Sequence, residues 1–238
     1  MLSWRHWNLM GLAVCLISAA GCGGGSTSTT STSGASRVRF LNAVPKSVTV
    51  DITIDGVKVV KSLAYAQAAS AGYTALASGS HKIQISITNA NPPVVSTDTL
   101  FVSANTDNTL LAVGRSDNGS MHALMVQDDN SAPIANFAKL RVVDASPDSA
   151  TTLDTFITSP QANITSLVPT RNLSYGTATD YVDVAAGAQQ IRLSSSGTTN
   201  AVFDSGALSI AAGQIRTLVV IDSSDGLGFT TVLLNDKN

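Results

Sequence analysis

An internal repeat constrains this chain more than any other feature of its sequence. The segment Arg37-Val-Arg-Phe-Leu-Asn-Ala-Val-Pro45 returns as Lys139-Leu-Arg-Val-Val-Asp-Ala-Ser-Pro147. Later landmarks keep the same order in both copies, and Tyr73 and Tyr181, for example, are 108 residues apart. A period of about 100 residues is much longer than the roughly 20–50 residues of a solenoid unit. The sequence therefore predicts two complete domains.

The apolar residues within each copy follow the period of a β-strand. The run 48–54 places valine or isoleucine at every second position, which is typical of a strand with one buried and one solvent-facing side. The pair Asp55-Gly56 between two such runs predicts a tight hairpin turn. About seven short strands at this spacing, without helical periodicity, predict an immunoglobulin-like sandwich. The predicted fold class is all-β, with two tandem immunoglobulin-like antiparallel β-sandwich domains.

The first 22 residues have the layout of a secretory signal. Arg5 is followed by an apolar run over 9–20 and then by small residues at 19–21, directly before Cys22. The run is too short for a membrane span, which needs about 20 residues. The segment resembles a bacterial lipoprotein signal, although Ala19 stands where that signal favours Leu. The resemblance implies that Cys22 is lipidated and becomes the mature N-terminus.

An uncharged stretch rich in Gly, Ser and Thr covers residues 23–36. Such a stretch cannot bury enough apolar surface to fold, so it predicts a flexible tether. Gly23 is not the Asp that retains many lipoproteins at the inner membrane, so in a Gram-negative cell this resemblance implies the outer membrane. We expect an extracytoplasmic protein that is held at the membrane by its N-terminal lipid.

The repeat and the leader together divide the chain into five parts. We expect a signal peptide at 1–21, the lipidated Cys and tether at 22–36, a first sandwich at 37–130, a linker at 131–137 and a second sandwich at 138–238. Because the linker is short, we expect the two sandwiches to sit end to end.

Composition argues against some classes of function. The formal net charge is −2 and the 14 Lys and Arg residues are scattered, so no basic surface predicts nucleic-acid binding. Removal of the leader would also remove Cys15 and both Trp residues. With Cys22 acylated, the folded body would then contain no thiol and no disulfide.

Catalytic residues are not evident in the sequence. The mature chain keeps two histidines, His81 and His122, and Gln189 stands opposite His81 in the second copy. Neither a nucleophile elbow nor a zinc-protease motif is present. We predict no enzymatic activity, no catalytic residue and no cofactor. A hydrolase-like enzyme is the third hypothesis, and it would need one of these histidines beside a carboxylate and a nucleophile.

Two acidic turns carry weak signals for metal binding. Asp128 and Asp129 form one, and Asp222 and Asp225 belong to the other. Their oxygens suit Ca²⁺, but the spacing is not that of an EF-hand, and Asp is common in turns between strands. The sequence therefore predicts no metal site and leaves these four aspartates as weak calcium candidates.

Four tyrosines occupy matched positions of the two copies. Tyr65 matches Tyr175, and Tyr73 matches Tyr181. Matched aromatic residues favour packing, or a hydroxyl that holds a corner of the sandwich. Carbohydrate binding commonly uses a flat aromatic platform with Trp, and no Trp remains in the predicted mature chain. Exposed loops could still bind a glycan.

Several of these segments together resemble a bacterial family, domain of unknown function 4397. They are the matched starts, the Tyr175-Gly-Thr-Ala178 run, the Ala186-Gly187 turn and the segment 202–208. The clearest motif is Val143-Asp-Ala-Ser-Pro-Asp148, from which the first copy departs at Val44 and Lys46. Membership implies an extracytoplasmic β-rich protein, often a lipoprotein, and implies neither catalytic residues nor an agreed ligand.

These expectations lead to a non-enzymatic protein of the cell envelope. We expect a lipid-anchored structural or protein-interaction module, whose exposed sheet edges could accept a strand from a partner. The alternative hypothesis is a carbohydrate- or matrix-binding surface adhesin. The expected partner is an envelope protein or a glycan that the sequence does not identify.

Overall fold

A computed structural model describes residues 35–46, 48–149, 152–224 and 228–237. Within these ranges the chain forms 16 β-strands and no helix, so the described part contains no helix of the length and apolarity that a membrane span requires. The predicted signal peptide, Cys22, the tether before residue 35 and Asp225 lie outside the described residues.

The first half of the body contains eight strands in two four-stranded sheets. The strands are β1 (Ser36–Asn42), β2 (Val50–Ile54), β3 (Val57–Leu63), β4 (Thr74–Leu76), β5 (Gly79–Ile87), β6 (Val95–Val102), β7 (Asp107–Val113) and β8 (His122–Asp128). The order β4-β1-β7-β8 forms one sheet and β3-β2-β5-β6 the other. The first of these faces the other half of the protein and is called the inner sheet. The second is called the outer sheet.

The second half repeats this arrangement strand for strand. Its strands are β9 (Phe137–Asp144), β10 (Leu153–Thr158), β11 (Arg171–Leu173), β12 (Val182–Ala185), β13 (Gly187–Ser195), β14 (Ala201–Ile210), β15 (Ile215–Asp222) and β16 (Phe229–Lys237). The inner sheet has the order β12-β9-β15-β16, and the outer sheet has the order β11-β10-β13-β14.

The all-β fold with two tandem sandwiches is confirmed, and the structure adds two details. Each half has eight strands rather than about seven, divided four and four. One pair in each inner sheet, β1 with β7 and β9 with β15, is parallel, whereas the remaining pairs are antiparallel. The predicted hairpin joins β2 to β3, and both of its turn residues have positive φ, 49° at Asp55 and 84° at Gly56.

Apolar side chains between the inner and outer sheets fill each half. In the first half they include Val38, Phe40, Val50, Ile52, Ile83, Ile85 and Leu110. In the second half they include Leu140, Val142, Leu153, Ile191, Leu193, Leu218 and Val220. Full burial of such a side chain contributes about 1.5–3 kcal/mol, so each sandwich has its own source of stability.

A third core lies between the two inner sheets. The first half supplies Leu41, Ala43, Leu111, Val113 and Val126, and the second half supplies Val143, Ala145, Val219, Ile221 and Leu234. We call this contact the seam. The expectation that the sandwiches sit end to end is wrong, because the inner sheets pack face to face and both halves belong to one compact unit.

The seam explains why the central strands are apolar on both sides. On β1, Phe40 packs in the core of the first half while its neighbour Leu41 packs in the seam. Successive side chains of a strand point to opposite faces, so a strand buried on both faces becomes a continuous apolar run. The runs 110–113 and 218–221 in β7 and β15 have this character.

The two outer sheets differ in what covers them. Phe156 on β10 pairs with Arg192 and lies on the face away from the core, yet it is only 1% exposed. Residues 159–170, which we call the covering segment, return over this sheet: the Gln161 N–H donates to the Gln190 side chain at 2.6 Å, and Ile164 is 5% exposed. The first half has only the Asp55-Gly56 turn at this point.

Candidate functional site at the seam

Two buried arginines cross the seam in opposite directions. Arg141 on β9 donates from Nη2 to the Asp128 carboxylate and from Nη1 to the Gln127 carbonyl of the first half, at 2.7 Å for the carbonyl. Its Nε donates to Thr217 of its own half at 2.9 Å. Each half therefore supplies the carboxylate for an arginine of the other half.

The reciprocal contact has the same geometry. Arg39 on β1 donates to the Asp236 carboxylate at 2.6 Å, to the Asn235 carbonyl at 3.1 Å and to Thr109 at 2.8 Å. Arg39 is 5% exposed and Arg141 is 2% exposed. The matched positions of the repeat thus form two equivalent clusters, related by the pseudo-two-fold symmetry of the seam.

A tyrosine completes each cluster. The Tyr73 hydroxyl donates to Asp128 and the Tyr181 hydroxyl donates to Asp236, both at 2.5 Å. The guanidinium carbons of Arg39 and Arg141 lie 5.0 and 4.6 Å from the ring centres of Tyr73 and Tyr181. These two hydroxyls hold the seam aspartates, in keeping with the structural interpretation of the matched tyrosines.

The surroundings of Tyr73 and Arg39 raise the pKa of both side chains. Burial, and next the Asp128 charge, raise the pKa of Tyr73 well above its ordinary range, so the hydroxyl stays a donor. Burial would lower the pKa of Arg39, but Asp236 and Asp128 outweigh it and raise that pKa. Buried ion pairs with this many hydrogen bonds tolerate little change, because removal of one partner leaves an uncompensated charge.

The calcium candidates have other partners. The Asp128 carboxylate accepts hydrogen bonds from Arg141, Thr109 and Tyr73, and a cationic neighbour opposes a second cation there. Asp129 pairs with Lys139 at 2.6 Å, a hydrogen bond that lowers the pKa of Asp129 to about 2. No three His, Cys, Asp or Glu side chains form a metal-binding group within the described ranges.

The segment 143–148 and Asp222 of β15 form a polar cluster at the other end of the seam. Its members are Asp144, Ser146, Asp148 and Asp222, which we call the motif cluster. The Ser146 N–H donates to Asp144 Oδ1 at 2.9 Å, and the Ser146 hydroxyl donates to Asp222. Arg115 of the first half pairs with Asp148 and lies 3.5 Å from Asp222. The cluster therefore also crosses the seam.

Neither histidine adopts the arrangement that the hydrolase hypothesis requires. His81 Nδ1 lies 2.6 Å from Asp55, but Nε2 lies 2.8 Å from the Ala77 carbonyl rather than from a hydroxyl. His122 Nδ1 lies 2.8 Å from the Ser120 carbonyl, and its ring stands edge-on to Tyr175. Neither histidine is thus paired with both a carboxylate and a nucleophilic hydroxyl among the described residues.

Two equivalent clefts flank the arginine clusters. Each has a volume of about 480 Å³, and each lies where a loop of one half meets the last strand of the other. Arg141 and Tyr181 line one, and Arg39 lines the other. A third cleft of about 610 Å³ is lined by polar residues that include Arg37, Asn105 and Asn130.

The repeat, the sandwich fold and the motif all agree with the family comparison. A model of the family described as domain of unknown function (DUF4397) matches residues 36–156 and again residues 151–238. The chain belongs to the DUF4397 family. It carries two tandem copies of the domain, as the sequence predicted.

Other comparisons add little to DUF4397 membership. No protein with curated annotation matches the chain. Among solved structures, the Bacillus anthracis TIE protein is similar at 10% identity with a TM-score of 0.25. The match covers 85% of this chain and 43% of that one, so the chain spans less than half of its structural neighbour. A likeness this weak carries no functional argument.

Sequence reasoning missed the arginine clusters, although a signal for them was present. Arg39 and Arg141 interrupt otherwise apolar strands at matched positions, and the same residue types recur at Thr109 and Thr217. A charged residue that is repeated inside a buried strand needs a partner. The partner could not be identified from one half alone, because it lies in the other.

Proposed function

We propose that this DUF4397 protein is a non-enzymatic module of the cell envelope that serves as a structural or protein-interaction body. The observation that supports this most strongly is the seam. A shared apolar core and two reciprocal ion-pair clusters join the sandwiches, and inter-domain contacts of this kind suppress the relative motion that two tethered domains would otherwise have. A rigid body suits a spacer or a docking platform.

The body offers, as docking points, strand edges that pair with no other described strand. In the first half, β6 is an edge of the outer sheet, and its Val95 and Phe101 are exposed. In the second half, β14 is the matching edge and carries the exposed Val202. An exposed edge with apolar side chains can accept a strand from a partner.

A pull-down from cell envelopes tests the proposal. The bait is the body from residue 35 onward, because the two halves share a core and should not be separated. We expect the wild type to capture a specific envelope protein, Phe101→Lys or Val202→Lys to lose it, and Ile134→Lys, at an exposed residue outside the strands, to retain it as the control. Capture that is equal for a heat-denatured bait, or no capture at all, would reject a docking role.

Anchoring through Cys22 is part of the same proposal. The lipoprotein signal supports it, and the outer membrane is the proposed location in a Gram-negative cell. Metabolic labelling with tritiated palmitate should label the wild type and not Cys22→Ser. Label that survives the substitution would show that the lipid is not on Cys22.

A glycan-binding adhesin is the second candidate, and one observation favours it. The cleft of about 610 Å³ is lined by Arg37, Asn105, Asp107, Gln127 and Asn130, and amide, carboxylate and guanidinium groups are the hydrogen-bonding partners that sugar hydroxyls need. Signal on a glycan array that exceeds the denatured protein and is lost in Asn105→Ala would support this candidate over the first.

A further inference from the structure

We propose that Asp144 is held in the fold as a neutral carboxylic acid, and that its proton keeps the motif cluster closed across the seam. The device is a proton-dependent latch. The latch consists of Asp144, the Ser146 that it holds, and the Asp148 that pairs with Arg115 of the other half. This inference is independent of the function proposed above.

The surroundings of Asp144 are the first reason. Its side chain is fully buried, at 0% exposure. Oδ1 accepts the Ser146 N–H at 2.9 Å, whereas Oδ2 has no hydrogen-bond partner among the described residues. A buried carboxylate oxygen without a donor is costly, because the charge has lost water and gained nothing in return. A proton on that oxygen removes the charge.

The equivalent position in the first copy is the second reason. Asn42 accepts the Val44 N–H at 3.0 Å through Oδ1, just as Asp144 accepts the N–H of Ser146. The other side of the Asn42 amide is a donor, and Nδ2 donates to the Val48 and Leu63 carbonyls at 2.7 and 2.9 Å. The position in the first copy therefore uses one acceptor and one donor.

An ionised aspartate cannot meet that requirement, since both of its oxygens only accept. A protonated aspartate can, because its O–H is a donor. The residue in the second copy that matches Leu63 is Leu173, which is likewise buried in the core. Replacement of Asn by Asp at this position thus converts a constant donor into one that depends on pH.

The charges around Asp144 favour the same state. Burial raises the pKa of Asp144, the nearby Asp222 raises it further, and hydrogen bonds from Ser149 and Ser146 oppose both effects only in part. The pKa of Asp222 is also raised, first by burial and then by Asp148. Both carboxyls lie close enough to Tyr175 to add to the effect of burial in raising its pKa.

Among the described residues, the single cation near the cluster pairs with carboxylates other than Asp144. Arg115, from the loop after β7, pairs with Asp148 and approaches Asp222. The remaining titratable neighbours are Tyr65, whose hydroxyl donates to the Asp222 carbonyl, and Tyr175, which is in ring contact with His122. None of these supplies a positive charge to Asp144 Oδ2.

The direction of the pH effect follows from the raised pKa. Between the ordinary aspartate value of 3.8 and the raised value, the folded protein holds a proton that the unfolded chain has released. Stability therefore falls as pH rises through this window and is constant above it. As Asp144 ionises, its negative charge repels the Asp222 carboxylate, while Ser146 is hydrogen-bonded to both side chains. We expect this repulsion to separate the cluster and to weaken the Arg115–Asp148 ion pair across the seam.

Carboxyl-carbon NMR of the intact body tests the protonation directly. We expect the Asp144 resonance, assigned by its absence in Asp144→Asn, to titrate with a midpoint above the ordinary aspartate value of 3.8. A midpoint at or below 3.8 would overturn the proposal. This measurement uses the wild type, so it remains decisive even if the variant folds poorly.

Hydrogen exchange tests the latch. Between pH 3.8 and the midpoint, the Ser146 amide should lose protection by up to about tenfold per pH unit, beyond intrinsic base catalysis, and the loss should level off above the midpoint. Asp144→Asn, which copies the first half, should show no such loss. The reciprocal Asn42→Asp should create the same loss at the Val44 amide. An equal pH response in wild type and Asp144→Asn would contradict the latch.

Calcium binding by the motif cluster is the alternative to protonation of Asp144. If millimolar Ca²⁺ lowers the Asp144 midpoint and restores protection of Ser146 at high pH, the cluster is a cation site and the latch is wrong. If Ca²⁺ leaves both unchanged while the pH response persists, the proton is the ligand that closes the cluster.

Discussion

The two halves of this protein are alike at the contacts that occur twice across the seam and different at the contacts that occur only once. At the arginine clusters, both copies keep the same residues: Arg39 and Arg141, Thr109 and Thr217, Tyr73 and Tyr181, Asp128 and Asp236. At the motif cluster, Asp144, Ser146, Asp148 and Asp222 stand opposite Asn42, Val44, Lys46 and Gly114. The difference shows that a contact formed twice, once from each copy, constrains both copies together, whereas the single contact of Arg115 with Asp148 places different demands on the two copies.

The largest expected effect is the loss of a seam arginine. Arg141→Ala leaves Asp128 buried without its ion-pair partner and should lower the free energy of unfolding by about 3–5 kcal/mol. If the clusters are equivalent, Arg39→Ala should cost the same, as measured by urea denaturation.

The exposed pair of Arg37 with Asp107 provides the control for these substitutions. Arg37→Ala should change the free energy of unfolding by no more than about 1 kcal/mol, because exposed ion pairs contribute little. Losses from Arg39→Ala and Arg141→Ala that differ by more than this would break the equivalence of the two clusters.

The next effect concerns the covering segment. Phe156→Ala removes a large side chain that is buried outside the main core, and we expect a loss of about 3 kcal/mol in unfolding free energy. Thr53, the matching residue in the uncovered first half, should tolerate alanine within about 0.5 kcal/mol. Similar losses at the two positions would show that the covering segment does not protect Phe156.

A smaller effect is expected at Gly114, which matches Asp222. Gly114 has φ of 83°, and a side chain there would collide with the Ser120 backbone, so Gly114→Ala should cost about 1–3 kcal/mol. Gly176→Ala is the control, since its φ of 76° imposes strain without a collision. If Gly176→Ala lowered the melting temperature more than Gly114→Ala, the collision with the Ser120 backbone would not be the cause of the loss.

The smallest expected effect is a pH dependence of stability that His81 contributes and that Gln189, its counterpart in the second copy, does not. Both ring nitrogens of His81 face acceptors, an arrangement that favours the doubly protonated ring. Burial lowers the pKa of His81, but the hydrogen bonds to Asp55 and Ala77 outweigh it and raise the pKa above 6.5. The stabilisation is therefore present below pH 6.5 and is lost as pH rises through the raised value.

His81→Gln should remove this pH dependence, because the Gln189 side chain makes the equivalent bond to the Ala185 carbonyl at 2.8 Å. The melting temperature of the wild type should fall by no more than about 3 °C between pH 5.5 and 8, after allowance for Asp144. If His81→Gln keeps the wild-type dependence of melting temperature on pH, a group other than His81 is responsible for that dependence.

Local patterns predicted the local structure well. Alternating residues in 48–54 gave a strand, and Asp55-Gly56 gave its turn, because both depend on near neighbours along the chain. The continuous apolar runs in β7 and β15 also carried information, since a strand with one solvent-facing side should alternate. They indicated a second buried face, which the expectation of end-to-end domains overlooked.

The candidate site was less accessible from sequence for a physical reason. Asp128 pairs closely with Arg141 of the other half and lies 3.6 Å from Arg39 of its own half, and no spacing along the chain distinguishes these partners. The protonation of Asp144 likewise depends on burial and on Asp222, which is distant in sequence. Comparison of the two copies, Asn against Asp at one position, is the signal that could have identified it.

The reciprocal pairing of Arg39 and Arg141 has a consequence for the ancestry of the protein. A chain with one copy of the domain would carry an arginine and an aspartate that fit a second identical chain about a two-fold axis, as in a homodimer. Tandem fusion makes that association intramolecular and independent of protein concentration. It also allows the two copies to differ, so that only one of them needs to carry the Asp144 motif.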